Sequence, residues 1–228
     1  MPRKTVGIIG GMGPEATVDF MAKVIKKTPA QIDQQHLHML VDNNPQIPNR
    51  LDAILNNGQT PGPILAQIAL QLEKWGADIL AMPCNTAHYY FSEVERAVQI
   101  PVLSIIDETI KVLKEKNVNS VGLLASAGTL KTRLYHNKLE AANIKVVIPS
   151  EAYQEKVTQS IYALKRGDYL KARMFNQELV DHIVGKNAEA VILGCTELPI
   201  VFNDRDEDNI TFYDPTEILA EAVVREAF

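Results

Sequence analysis

The chain has 228 residues, 46% hydrophobic and 22% charged, with a formal net charge of -5 and a pI near 5.6. Those totals suit a globular fold of one large domain or two of roughly 100 residues. The acidic balance argues against a sequence-independent nucleic-acid or anionic-membrane surface, which needs clustered Lys and Arg. No apolar run approaches the ~18 residues of a membrane span, and the one that follows Arg3 and Lys4 is broken by Gly10 too early for a secretory signal core. A cytoplasmic protein with free thiols is therefore expected.

Thr5 to Ile9 reads as a buried strand, which Gly10-Gly11-Met12-Gly13-Pro14 turns into a helix running to about Lys27. Pro14 suits the first helical position, where no backbone donor is needed. His38 to Val41 is the next short strand. Residues 42–50 follow as a polar loop stiffened by Pro45 and Pro48, and 43–50 is a candidate lid. Pro63 to Trp75 is amphipathic, with Gly76 as its C-cap, and Asp78 to Met82 is a strand leading to Cys84. A helix is predicted over 86–98, a strand over 100–105 and a helix over 107–116.

At Asn119 the pattern restarts. Residues 119–129 repeat the first strand and its glycine turn, followed by a helix at about 130–142 and a strand over 145–148. Two amphipathic helices, about 151–166 and 168–185, lead to a strand ending at Cys195. A closing strand over 210–213 precedes a last helix to Phe228, and the acidic run 204–208 reads as a solvated loop.

The two halves can be laid over one another. Val6-Gly7-Ile8-Ile9 matches Val121-Gly122-Leu123-Leu124 at an offset of 115, and Cys84 matches Cys195 at an offset of 111. Strands alternating with helices in a duplicated unit predict an α/β fold of two similar parallel-sheet domains. We expect them to be related by a pseudo-twofold, with the active site in the cleft between them. The first would span 1–104, completed by the C-terminal helix 214–228, and the second 105–213.

Cys84 and Cys195 are the chain's only cysteines, and each closes an apolar strand just before helix-forming residues. Strand ends of this kind open into the binding crevice of parallel α/β sheets. A thiol at a helix start sits at the positive end of the dipole, which favours thiolate. A single strand-end cysteine is ordinarily a buried apolar residue. The matched pair is what points to chemistry, and facing thiols would use two faces of one substrate. Neither cysteine has the paired ligands of a zinc site, so no metal is expected.

Gly11-Met12-Gly13-Pro14-Glu15-Ala16 formally fits a dinucleotide fingerprint. Pro14 removes an amide that a pyrophosphate would want, and Asp42 lies too far on, so a glycine turn allowing close approach is the better reading. Arg50 ends the stiff loop, where it is placed to pair with a carboxylate in two-pronged fashion. His88, four residues past Cys84, is assigned a helix-surface or capping role rather than a Cys/His dyad.

Gly-Gly-Met-Gly-Pro at 10–14, Asn-Asn-Pro-Gln-Ile-Pro at 43–48 with Arg50, Met-Pro-Cys-Asn-Thr-Ala-His at 82–88 and Gly-Cys-Thr-Glu at 194–197 together resemble the aspartate/glutamate racemase family, and its aspartate branch most. The resemblance implies racemisation of aspartate without a cofactor, in which one cysteine deprotonates the α-carbon while the other reprotonates the opposite face. It implies that Cys84 faces the D-enantiomer's α-hydrogen and Cys195 the L-enantiomer's. Asn85, Thr86 and Ala87, with Thr196 and Glu197, would hold the α-carboxylate and amino group. Arg50 and Lys165 would hold the distal carboxylate, Met12 joins the substrate-binding set, and a homodimer is implied. The glutamate branch carries Asp-Ser in the first turn and Thr-His after the second cysteine, where this chain has Gly11-Met12 and Thr196-Glu197. The alternatives are a broader aspartate/glutamate racemase, a maleate-type dicarboxylate isomerase, a non-catalytic dicarboxylate-binding protein and a nucleotide-dependent oxidoreductase.

Overall fold

The computed structural model of the chain describes residues 3–202 and 210–228, so the acidic run 204–208 lies outside the described residues. The chain divides into two compact units, Met1–Glu108 with Thr216–Phe228, and Thr109–Pro215. Among the described residues no helix is long and apolar enough to cross a membrane.

The first unit holds β1 (Val6–Gly10), α1 (Pro14–Lys27), β2 (Met39–Asn43), α2 (Arg50–Leu55), α3 (Gly62–Lys74), β3 (Ile79–Ala81), α4 (Phe91–Ala97) and β4 (Val102–Leu103). Its four strands are parallel in the order β2-β1-β3-β4, with Val6 opposite both Met39 and Ile79. β1 is buried at every position, as expected of a central parallel strand covered on both faces. Leu65, Ile68 and Leu72 of α3 and Val94 of α4 pack in one cluster with Ile9, Leu80 and Met82. α5 (Ile105–Glu115) leads onward.

The second unit repeats the plan with β5 (Ser120–Ala125), α6 (Ala127–Lys131), α7 (Leu134–Ala141), β6 (Lys145–Val147), α8 (Glu151–Lys165), α9 (Tyr169–Arg173), α10 (Asn176–Val184), β7 (Ala190–Gly194), α11 (Leu198–Val201) and β8 (Thr211–Tyr213). Its sheet order, β6-β5-β7-β8, is again all parallel and matches the first strand for strand. α12 (Pro215–Ala227) ends the chain. The equivalent strand glycines share a purpose. A Cβ at Gly7 would fall 2.4 Å from Leu80, and one at Gly122 would fall 2.1 Å from Ile183 of α10. Both central strands are thus stripped of a side chain where a neighbour presses on them.

Several boundaries differ from the periodicity reading. The helix predicted at 130–142 is two, because Arg133 turns left-handed at φ 54° just after Thr132, whose backbone amide and Oγ1 both donate to the Gly128 carbonyl, at 3.1 and 2.7 Å. The helix predicted at 168–185 is likewise split between Arg173 and Asn176. The strand predicted over 100–105 shrinks to Val102–Leu103, since Pro101 cannot donate and α5 has begun by Ile105. The short α2 and α11 are not visible in apolar periodicity. α2 is nonetheless signalled by Asn49, whose side chain accepts from the amides of Leu51 and Asp52.

Two histidines of the second unit tie stability to pH. Burial, and then Arg133, hold the His136 imidazole below its usual range against the pull of Glu140. Burial, Lys186 and Lys156 do the same for His182, against Glu178. His182 stacks on Tyr153 with centroids 3.7 Å apart, and its Nε2 accepts from the Ser150 amide at 3.2 Å, just ahead of α8. A depressed histidine is neutral in the fold where the unfolded chain already binds a proton. Its contribution is therefore present above the ordinary value of 6.5 and lost as pH falls through the depressed one. Urea unfolding is expected to show stability falling as pH drops below about 6.5, with a shallower fall in His182→Gln. Superimposable profiles for the two proteins would reject the assignment to His182.

Candidate active site

In each sheet the chain leaves the central strand toward one edge and returns on the other side. This places a switch point at the C-terminal ends of β1 and β3, and again at those of β5 and β7. Cys84 follows β3 and Cys195 follows β7, so the two cysteines hold equivalent places.

In the first unit, Cys84 is buried in one cluster with Met12, Ile47 and Ala87. Asn85 and Thr86 beside it are also buried. The glycine turn after β1 approaches the 43–50 loop closely. Gly11 has φ +90°, and a Cβ there would lie 2.1 Å from the Asn44 carbonyl oxygen. Its amide is taken by Thr17 Oγ1 at 2.9 Å. The close approach is therefore made by the chain's own loop, and one amide that a pyrophosphate would use is already engaged. Arg50 is half-buried and braces the loop, its Nη1 donating to the carbonyls of Ile47 at 3.2 Å and Pro48 at 3.0 Å.

His88 is corrected from the surface to the interior. It is buried and stacks on Phe91 with centroids 5.3 Å apart. Its Nε2 accepts from the Ile105 amide at 3.1 Å, so the neutral ring carries its proton on Nδ1 and donates to the Cys84 carbonyl at 2.9 Å. The capping half of the expectation holds, because Ile105 opens α5. The same bond explains why residues 86–90 wind as a 3₁₀ helix before α4. The ring occupies the carbonyl that an α-helix would offer to the His88 amide, which bonds to Asn85 instead at 3.1 Å. His88 thus clamps the backbone under Cys84, a role whose only sequence signal is its i+4 spacing.

In the second unit, Thr196 and Glu197 are buried after Cys195. Cys195 Sγ donates to Glu197 Oε2 at 3.0 Å, and Thr196 Oγ1 donates to the same oxygen at 3.4 Å. Lys165, the last residue of α8, reaches Glu197 Oε1 at 3.0 Å. Lys165, Cys195, Thr196 and Glu197 are thus gathered at one point, as Met12, Cys84 and Ala87 are in the first unit. Only the four residues of α11 follow Cys195 as helix, so the thiol's surroundings are set by the Glu197 carboxylate more than by a helix dipole. Among the described residues no group of three or more His, Cys, Asp or Glu is arranged to hold a metal ion.

Twin parallel sheets, each with one cysteine at its switch point, define a duplicated α/β protein with a thiol in each half. Residues 9–223 match the family model described as Asp/Glu/hydantoin racemase, and the chain belongs to that family. It is 31% identical over 223 residues to a broad-specificity amino-acid racemase of Bacillus subtilis, covering 96% of each chain. Among solved structures it is similar to Picrophilus torridus aspartate racemase, at 37% identity and TM-score 0.87 over 98% of this chain and 94% of that one. It is also similar to an aspartate racemase homologue from Pyrococcus horikoshii, at 27% identity and TM-score 0.79 over 98% and 99%.

The clamp can be tested by His88→Phe, which keeps an aromatic ring for the stack and removes the bonds to the Ile105 amide and the Cys84 carbonyl. The expected cost is about 1–3 kcal/mol in urea unfolding. An unchanged midpoint would mean that the two hydrogen bonds contribute nothing.

Proposed function

We propose that the protein interconverts L- and D-aspartate by proton transfer at the α-carbon, using Cys84 and Cys195 as two bases and no pyridoxal phosphate. The observation that carries the reading is the matched position of the two cysteines, each after the third strand of an identically ordered sheet, in a chain of a racemase family. One thiolate takes the α-hydrogen, the other thiol delivers its own proton to the opposite face, and the protonation states of the pair are exchanged. Neither enantiomer is consumed as a reductant or an acid.

The α-hydrogen of an amino acid is far less acidic than a thiol, so the carbanion must be stabilised by several kcal/mol. Amides and hydroxyls of residues 85–87 and 196–197 are the proposed donors to the α-carboxylate, with Arg50 and Lys165 for the distal one. Aspartate is favoured because the relative at 37% identity is an aspartate racemase, whereas the glutamate racemase structure from Francisella tularensis shares 19% and speaks to the fold alone. The Bacillus relative's broad specificity makes a wider substrate range the second reading.

The test is incubation in D2O without added cofactor, with L-aspartate and separately L-glutamate, following the α-proton signal and optical rotation. Loss of both with aspartate alone is expected, and loss with both substrates would establish the broader racemase. No exchange with either, from folded and reduced protein, would remove the racemase reading. Cys84→Ala and Cys195→Ala are each expected to abolish racemisation, and substantial turnover in either would sink the two-base mechanism.

A further inference from the structure

The contacts around Glu197 deepen this reading and rest on it for their catalytic meaning. Glu197 is 4% exposed, so its charge is cut off from water and must be compensated by the protein. Lys165 Nζ compensates it from one side at 3.0 Å, while the Cys195 thiol and the Thr196 hydroxyl donate from the other at 3.0 and 3.4 Å. The cluster that buries Cys195 is otherwise apolar, including Leu124, Val147, Leu193 and Leu198. Against this apolar wall the Glu197 carboxylate lies directly on the sulfur, with Lys165 of α8 behind it. A carboxylate at this distance accepts an S–H and repels a thiolate.

We propose that Glu197 is a positioning residue that holds Cys195 as the protonated member of the pair, and that Lys165 fixes Glu197 in that task. When Cys195 delivers its proton, its S–H bond breaks and the α-carbon C–H bond forms. The negative charge left on sulfur lies beside Glu197, which makes that thiolate a stronger base for the return step. Lys165 accordingly serves the thiol as well as any distal carboxylate of a substrate.

The test reads the thiol directly and needs no substrate. In the full chain carrying Cys84→Ser, Cys195 is the single cysteine, and its reaction with iodoacetamide is followed at about pH 7.5. Adding Glu197→Gln keeps the shape and removes the charge, so alkylation is expected to become about tenfold faster. Adding Lys165→Met leaves Glu197 uncompensated, so alkylation is expected to become several-fold slower. A rate within about twofold of the parent in E197Q would overturn the proposal. Should E197Q fail to fold, an unchanged rate in K165M would overturn it, since that side chain is partly exposed. These outcomes do not depend on racemase activity, whereas absence of α-proton exchange in the two-cysteine chain would remove that activity and leave the Glu197 result standing.

Discussion

The parallel pairing of β1 with β3 and of β5 with β7 is the constraint on which the rest depends. Parallel strands cannot be joined by tight turns, so each must be followed by a crossover, and every crossover starts from the same end of the sheet. Residues distant in sequence are therefore delivered to one rim. Met12 comes from the turn after β1 and Cys84 from the turn after β3, and they meet in one buried cluster. The second sheet does the same with different chemistry, adding Lys165 from the end of α8 to the segment that follows β7.

The two thiols stand on equivalent scaffolds in unequal company. Cys84 lies among apolar side chains, and its backbone carbonyl is held by a neutral histidine ring. Cys195 lies against a buried carboxylate paired with an ammonium group. The proposed two-base racemisation requires the sulfurs to start in different protonation states, and unlike neighbours are a direct physical means of achieving that. Duplication supplies the symmetry of the scaffold, and substitution beside each strand end breaks it.

His88 shows how a small local exchange shapes such a site. A ring nitrogen takes one backbone carbonyl, the adjoining turn tightens to 3₁₀ geometry, and the first amide of α5 gains an acceptor. The cysteine backbone is thereby held from its carbonyl side. Arg50 does comparable work in the 43–50 loop, bracing two carbonyls with one guanidinium nitrogen.

The sequence by itself determined the class of the fold. Near-continuous apolar runs separated by amphipathic helices specify parallel strands, and the repeated Val-Gly-Ile-Ile and Val-Gly-Leu-Leu segments disclose the duplication. Motifs local in sequence, such as Met-Pro-Cys-Asn-Thr-Ala-His and Gly-Cys-Thr-Glu, also marked both thiols and the residues beside them. Where a side-chain hydrogen bond competes with the helical one, as at His88, or a left-handed residue interrupts the run, as at Arg133, the boundaries were not legible, because periodicity records burial and neither of those. Only the tertiary structure decided that His88 is interior, that Asn44 covers Gly11, and that Lys165 finds Glu197 across more than thirty residues of intervening chain. Such pairings depend on where the crossovers set each element down, and no spacing in the chain records that.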